Sequence, residues 1–337
     1  MSHSSGGCHI ERAATMEATS KPTSAGNSES IGDGATTTIL LGLSGPSSSG
    51  KTTLARLLRS IFNTTVSSPQ SSSTTLNLSL FILHQDDFYL TDALVPVIRV
   101  SSPEFGTRDL QDWDCVESLD LGLFEDTMRH VQRFGRVPEG SVSKEDQNAV
   151  GESGVSDEEV ASLKKVLEER LTGALGGAGT GEREIRICIL DGFLLYPPPP
   201  STTSASSTTS QPTQLTHLHH LSQALLLPRL FLPSTRSQTL SRRARRSGYV
   251  TLEGFWTDPA GYVEDVVWPN YARDHGWMYV DGNVERGVLD EDRLLREEGI
   301  VVCPGSGAWE MGRILDWAVD VLGKVVVQTV ERGEGPV

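Results

Sequence analysis

Gly45-Pro46-Ser47-Ser48-Ser49-Gly50-Lys51-Thr52 fits the spacing G-x-x-x-x-G-K-[ST]. Its glycines let backbone N–H groups turn inward around phosphate oxygens, and a helix opening near Lys51 adds its positive end. Lys51 can reach the outer phosphates of a nucleotide, and the Thr52 hydroxyl can ligate Mg2+. The chain holds several Gly/Ser tracts, so a chance match is the competing reading. Placement between the apolar run Thr38–Leu43 and the amphipathic run Thr52–Phe62 decides for phosphate binding.

Two acidic sites stand at the ends of expected strands, where an open parallel sheet presents its ligand crevice. In Gln85-Asp86-Asp87-Phe88-Tyr89 the two carboxylates point in different directions, so one of them faces the phosphates. A carboxylate there can accept the proton of an attacking hydroxyl, and Asp86 is the candidate. Asp191 follows Ile187-Cys188-Ile189-Leu190 and can hold Mg2+ directly or through water. The competing reading for both is turn capping, which Asp does well.

The elements that must position these groups alternate. Strands are expected at Thr38–Leu43, Leu78–His84, Ile185–Leu190, Arg229–Leu232 and Ile300–Cys303. Helices are expected at Thr52–Phe62, Cys115–Phe134, Ser237–Arg246 and Trp309–Val321, with Trp268-Pro269 opening another. That alternation predicts a three-layer α/β/α fold with a central parallel sheet. Residues 1–37 read as a disordered tail and 329–337 as a C-terminal one, enclosing one domain over 38–328. Segments 139–184 and 197–214 read as polar insertions, and Ser67–Thr75 as a smaller polar loop. The first holds a candidate helix over Ser156–Leu171 capped by Ser156, and none of these segments carries the apolar surface needed to order itself.

The chain has 337 residues, a net charge of −15 and 37% hydrophobic residues. Such acidity argues against a broad nucleic-acid surface. No apolar stretch is long enough to span a membrane. Four widely spaced cysteines suggest no disulfide framework, so the expected compartment is the cytoplasm, with the nucleus also open. His217, His219 and His220 lack ligand partners at metal-site spacing and read as ordinary helix residues.

The blocks GLSGPSSSGKTTLA, HQDDFYL, LQDWDCVESLD, ILDGFLLY, RRARRSGY and GYVEDVVWPNY occur in this order. Together they resemble the nicotinamide riboside kinases, within the wider uridine-kinase-like P-loop kinases. The resemblance implies a P-loop NTPase-type fold, ATP as phosphoryl donor, Mg2+, and a small nucleoside as acceptor. It implies an ATP-binding set of Gly45, Ser47, Ser48, Ser49, Gly50, Lys51, Thr52, Thr53, Arg242 and Arg246, with Lys51 also catalytic and Thr52 and Asp191 at the metal. It makes Asp86 the general base for the ribose 5′-hydroxyl, and Asp114 the acceptor for the 2′- and 3′-hydroxyls. Arg243 points to the ribose, and Trp113 and Tyr249 form aromatic walls for the nicotinamide ring. From the residues alone, Trp113 reads equally as a core anchor and the arginines as a solvated helix face. Asp191 stands where relatives often carry Glu.

The implied activity is phosphorylation of nicotinamide riboside to the mononucleotide. A uridine/cytidine kinase shares the phosphate loop, base and arginines and is the nearest alternative. A non-catalytic ATP-binding scaffold is the alternative of a different class.

Overall fold

The computed structural model describes residues 36–148, 151–176, 181–200, 212–245, 248–250 and 254–333. In chain order the first half comprises β1 (Thr36–Ser44), α1 (Lys51–Phe62), β2 (Thr64–Ser68), β3 (Ser71–His84), β4 (Val97–Ser102), β5 (Gly106–Gln111), α2 (Leu121–Phe134) and α3 (Asp157–Leu175). Next come β6 (Glu182–Gly192), α4 (Pro212–Leu225), β7 (Arg229–Phe231), α5 (Arg236–Arg243), β8 (Tyr249–Val250) and β9 (Phe255–Trp256). The last are α6 (Trp268–His275), α7 (Glu291–Glu298), β10 (Ile300–Val302) and α8 (Met311–Arg332).

The main sheet runs β10-β7-β1-β6-β3-β2 and is parallel except for the edge strand β2. Successive β1 side chains enter opposite cores, as strand pleating requires. Ile39, Leu41 and Leu43 meet Leu58 of α1, Leu171 of α3 and Leu322 of α8. Leu40 joins Met128 of α2 and Leu221 of α4 on the other face. Both faces are therefore covered, which is why β1 reads as a continuous apolar run. This is the predicted α/β/α architecture, and the strand ends at Ser44, His84 and Asp191 share one edge.

Several boundaries differ from expectation. The polar loop expected at Ser67–Thr75 belongs to an antiparallel β2–β3 hairpin. Thr74, Leu76, Leu78 and Leu80 are buried at period two, so the strand extends through Ser/Thr-rich sequence. Helix α2 starts at Leu121 instead of Cys115, because the Asp120 carboxylate accepts from Leu123 N at 2.9 Å and caps it. Helix α5 ends at Arg243 instead of Arg246, which itself lies outside the described residues.

Helix α8 runs eleven residues beyond Val321, carried by buried Leu322, Val326 and Val330 at helical spacing. Residues 329–332, expected in the C-terminal tail, are thus its last turn. Helix α3 keeps the Ser156 cap, with Glu159 completing a capping box, and buries Leu167, Leu171 and Leu175. Part of segment 139–184 therefore does bury enough apolar surface to order itself. Residues 1–35 of the expected N-terminal tail and 201–211 of the second insertion lie outside the described residues.

Candidate active site

The phosphate loop leaves β1 at Ser44 and enters α1 at Lys51. A Cβ on Gly45 would collide with the backbone carbonyl of Leu232, so only glycine fits there. Gly50 takes φ +99° and begins α1 without a side-chain cap, leaving backbone donors at the helix N-terminus for an anion. The buried hydroxyls of Ser48 and Ser49 have no hydrogen-bond partner among the described residues. Lys51 Nζ donates to Gly45 O at 3.0 Å and Pro46 O at 3.1 Å, folded back along the loop. A cavity of about 760 Å³ opens over this loop and is lined by Ser47 through Thr53, Asp86, Trp113, Asp114, Asp191, Arg242 and Arg243.

Asp191, the last residue but one of β6, lies beside His84, the last residue of β3, in direct register. Thr52 Oγ1 donates to Asp191 Oδ2 at 2.7 Å, and His84 Nδ1 lies 2.6 Å from Asp191 Oδ1. Burial alone would lower the His84 pKa, but the hydrogen bond and charge of Asp191 outweigh it and push it to about 9. Burial would raise Asp191, yet His84, Thr52 and Lys51 hold its carboxyl below the usual range. Two hard oxygen donors, Thr52 Oγ1 and Asp191 Oδ2, thus converge beside the phosphate loop, the donor chemistry that Mg2+ requires.

Asp86 and Asp87 sit on the 3₁₀ turn Gln85–Phe88. Gln85 fastens that turn by donating to Leu194 O at 2.8 Å and accepting from Leu194 N at 3.0 Å. Asp86 faces the cavity. Burial, then the negative charges of Glu145 and Asp191, push its carboxyl up to about 7 against the opposing pull of Lys51 and His84. Asp87 lines the cavity as well, but its Oδ1 is taken by Lys144 N at 2.6 Å and Glu145 N at 3.1 Å.

The loop Gln111–Asp114 forms the next wall. The Tyr262 hydroxyl accepts from Trp113 N and donates to Gln111 O, each at 3.0 Å. The Asp112 carboxylate accepts from Asn270 Nδ2 at 2.7 Å and Asp114 N at 3.1 Å, which sets the direction of Asp114. Trp113 packs with Val95, Leu110 and Tyr262, and it also lines the cavity. Burial raises the Asp114 carboxyl against the opposing charge of Arg243, and its buried Oδ2 has no partner among the described residues.

Arg243 Nη1 donates to Ser47 Oγ at 2.9 Å and Asp114 Oδ1 at 3.4 Å, while Asp258 grips the guanidinium at 2.6 and 3.1 Å. One side chain thus joins the phosphate loop to the Asp114 wall. Arg242 donates to Ser48 O at 3.4 Å, so it too faces that loop. The Tyr249 side chain lies outside what is described, although its backbone forms β8. The second indole over the cavity is Trp256 of β9, 5.7 Å from Trp113 between ring centroids, with Nε1 donating to Asp258 at 3.0 Å.

No family model matches the chain. It is 30% identical to the nicotinamide riboside kinase of Schizosaccharomyces pombe over 279 residues, 83% of this chain and 97% of that protein. The nicotinamide riboside kinases of Eremothecium gossypii and Saccharomyces cerevisiae are each 27% identical, over 76% and 75% of this chain and 83% of their own lengths. The chain belongs to the nicotinamide riboside kinase family. Neither the uridine/cytidine kinase nor the scaffold alternative is favoured by these relatives.

Two cavity groups of this family member, Glu145 and Trp256, and one group behind the cavity, His84, escaped the motif reading. His84 sits inside a quoted block, but its pairing with Asp191 depends on strand register. Glu145 lies in a segment read as a polar insertion, yet it is buried. Trp256 lies beyond the arginine helix, where the resemblance implied Tyr249. Elsewhere His217 pairs with Glu125 at 2.8 Å, and His219 lies 3.3 Å from Pro197 O. No helix among the described residues is long and apolar enough to cross a membrane.

Proposed function

We propose that the protein transfers the terminal phosphoryl group of ATP to the 5′-hydroxyl of nicotinamide riboside, giving ADP and nicotinamide mononucleotide. The observation that carries the reading is one cavity lined together by Lys51 and the phosphate loop, by Asp86 and Asp114, and by the indoles of Trp113 and Trp256. Phosphates occupy the loop, where the Ser48 and Ser49 hydroxyls and the α1 N-terminus offer donors. The donor's base takes the apolar end lined by Ala308, Trp309, Met311 and Ile314.

Thr52 and Asp191 hold Mg2+. When bound, the metal neutralises charge on the transferring phosphates. His84 orients the Asp191 carboxylate from behind, as partners of metal ligands commonly do. Asp191 is one methylene shorter than the Glu expected at this place, and its Oδ2 already meets the Thr52 hydroxyl.

Asp114 accepts from the ribose diol through Oδ2, and Arg243 holds its other oxygen. Nicotinamide riboside carries a positive ring, which favours the indole faces of Trp113 and Trp256 by about 0.5–2 kcal/mol. Asp86 accepts the 5′-hydroxyl proton, and a carboxyl poised at about 7 is matched to that task near neutral pH. Lys51 leaves the Gly45 and Pro46 carbonyls for the phosphates, and Arg242, with Arg246, adds positive charge as the phosphoryl moves. Cys115, Cys188 and Cys303 are buried free thiols, which suits the reducing cytoplasm or nucleus.

A nucleoside panel with ATP and Mg2+ tests the reading. Nicotinamide riboside is phosphorylated in preference to uridine and cytidine. Robust turnover of uridine with none of nicotinamide riboside would overturn the substrate assignment.

A further inference from the structure

Asp87 has no part in the chemistry above, although it adjoins the base. Its Oδ1 receives both Lys144 N and Glu145 N, the opening amides of the 3₁₀ turn Glu145–Gln147. Two neighbouring backbone amides on one carboxylate oxygen make this a two-point anchor. The segment 143–148 that it holds is fixed at further points. Asp146 lies 3.7 Å from Arg56 of α1 and 3.7 Å from His84 Nε2. Asn148 donates from Nδ2 to Glu145, and its Oδ1 accepts from Val250 N of β8 at 2.8 Å. Strand β8 pairs with β9, which carries Trp256. Residues 143–148 therefore run as a strap from the catalytic turn to the ribbon bearing the second indole. Lys144, Glu145 and Asn148 line the cavity from it, and Glu145 is only 6% exposed.

We propose that Asp87 is a positioning residue that pins this strap over the cleft, placing Glu145 beside Asp86 and coupling the catalytic turn to the aromatic wall that receives the nucleoside. The proposal rests on the reading of Asp86 as the base. The doublet Asp86-Asp87 then divides its work, one carboxylate given to the acceptor hydroxyl and the other to the strap.

The test compares Asp87→Ala with Asp87→Asn in the full chain, since Asn keeps an acceptor oxygen. Amide hydrogen exchange over 143–148 is read by mass spectrometry, alongside kinetics with nicotinamide riboside and equilibrium binding of MgATP. Asp87→Ala exchanges the strap amides on the order of tenfold faster and loses about 10- to 100-fold in kcat/KM, while MgATP affinity moves less than about threefold. Asp87→Asn stays within about fivefold of the wild type in both exchange and kcat/KM.

Unchanged strap exchange in Asp87→Ala overturns the proposal. So does an Asn variant as impaired as the Ala one, because charge at the position would then matter and anchoring would not. Asp86→Asn, run in parallel, keeps wild-type strap exchange while losing turnover. Retained turnover there refutes the base, and the exchange result still judges the strap. If Asp87→Ala does not fold, Asn148→Ala cuts the same strap at its other end and must loosen the same amides, or the proposal fails.

Discussion

His84 Nδ1 lies 2.6 Å from Asp191 Oδ1, where β3 and β6 end side by side. Both groups are buried, so each needs the other. Removing the imidazole leaves an uncompensated carboxylate, a change that costs about 3–5 kcal/mol for buried pairs. Thr52 and Lys51 remain beside Asp191, which puts His84→Leu toward the lower end of that range. Urea unfolding at neutral pH reads the loss directly.

The same pair sets a pH dependence of stability. The folded His84 pKa is about 9 against an ordinary 6.5, so its contribution is complete below about 6.5 and is lost as pH rises through about 9. Asp191 is depressed, so its contribution holds above the ordinary carboxylate range and is lost only in acid. The stability gap between the wild type and His84→Leu therefore narrows as pH rises from about 6.5 to about 9. A gap that stays constant through that range would mean that the imidazole is neutral.

Asp86 accepts a proton only when ionised. With its carboxyl at about 7, kcat/KM for nicotinamide riboside rises with pH through about 7. After burial, Glu145 is the largest influence holding that value up, with Asp191 acting in the same sense and Lys51 and His84 opposing. Glu145→Gln therefore moves the acid limb to lower pH. Asp86→Asn lowers kcat by about 10²–10⁴-fold and leaves ATP binding intact, as fluorescence titration would show. An acid limb that Glu145→Gln does not move would remove Glu145 from the tuning of the base.

Trp256 and Trp113 share the cavity wall but differ in what else they support. Trp113 is 5% exposed and packs with Val95, Leu110 and Tyr262, so Trp113→Ala costs stability as well as binding. Trp256 is less buried and sits on a two-residue strand. Trp256→Leu keeps apolar bulk and removes the π face. It raises KM for nicotinamide riboside by roughly 2- to 30-fold, the equivalent of about 0.5–2 kcal/mol, with the melting temperature nearly unchanged. An equal rise for a neutral nucleoside would assign Trp256 to shape and not to the cation.

The phosphate loop was legible because its eight residues are contiguous and act through backbone geometry. Asp86 and Asp191 were legible for a related reason, since each ends an apolar run that could only be a strand. The fold class followed from the same alternation. Glu145 and Trp256 were not, because no local pattern ties position 145 or 256 to position 86 or 113. Segment 143–148 reads as polar loop until Asp87 and Val250 are seen to hold it. Arg243 was expected toward the ribose. Its contacts with Ser47, Asp114 and Asp258 come from three separate parts of the chain, and no spacing rule reports such a junction. The β2–β3 hairpin was obscured by composition, since Ser and Thr mask a period-two pattern that Thr74, Leu76, Leu78 and Leu80 still carry.

Helix α3 provides the sharpest test of where the polar insertion ends and the core begins. Its outward face is Glu- and Lys-rich, which makes residues 157–175 look like surface. Leu167, Leu171 and Leu175 nonetheless recur at i, i+4 and i+8 and are fully covered, in one core with α1, α8 and the sheet. Leu171→Ala should cost about 2–5 kcal/mol, the range for a buried leucine whose surroundings relax only in part. Lys165→Ala, on the exposed face of the same helix, should change stability by less than about 0.5 kcal/mol. Urea denaturation of the two variants decides the matter. Equal, small effects would return α3 to the surface. A large loss confined to Leu171→Ala would show that the kinase core extends into a segment whose composition is mostly polar.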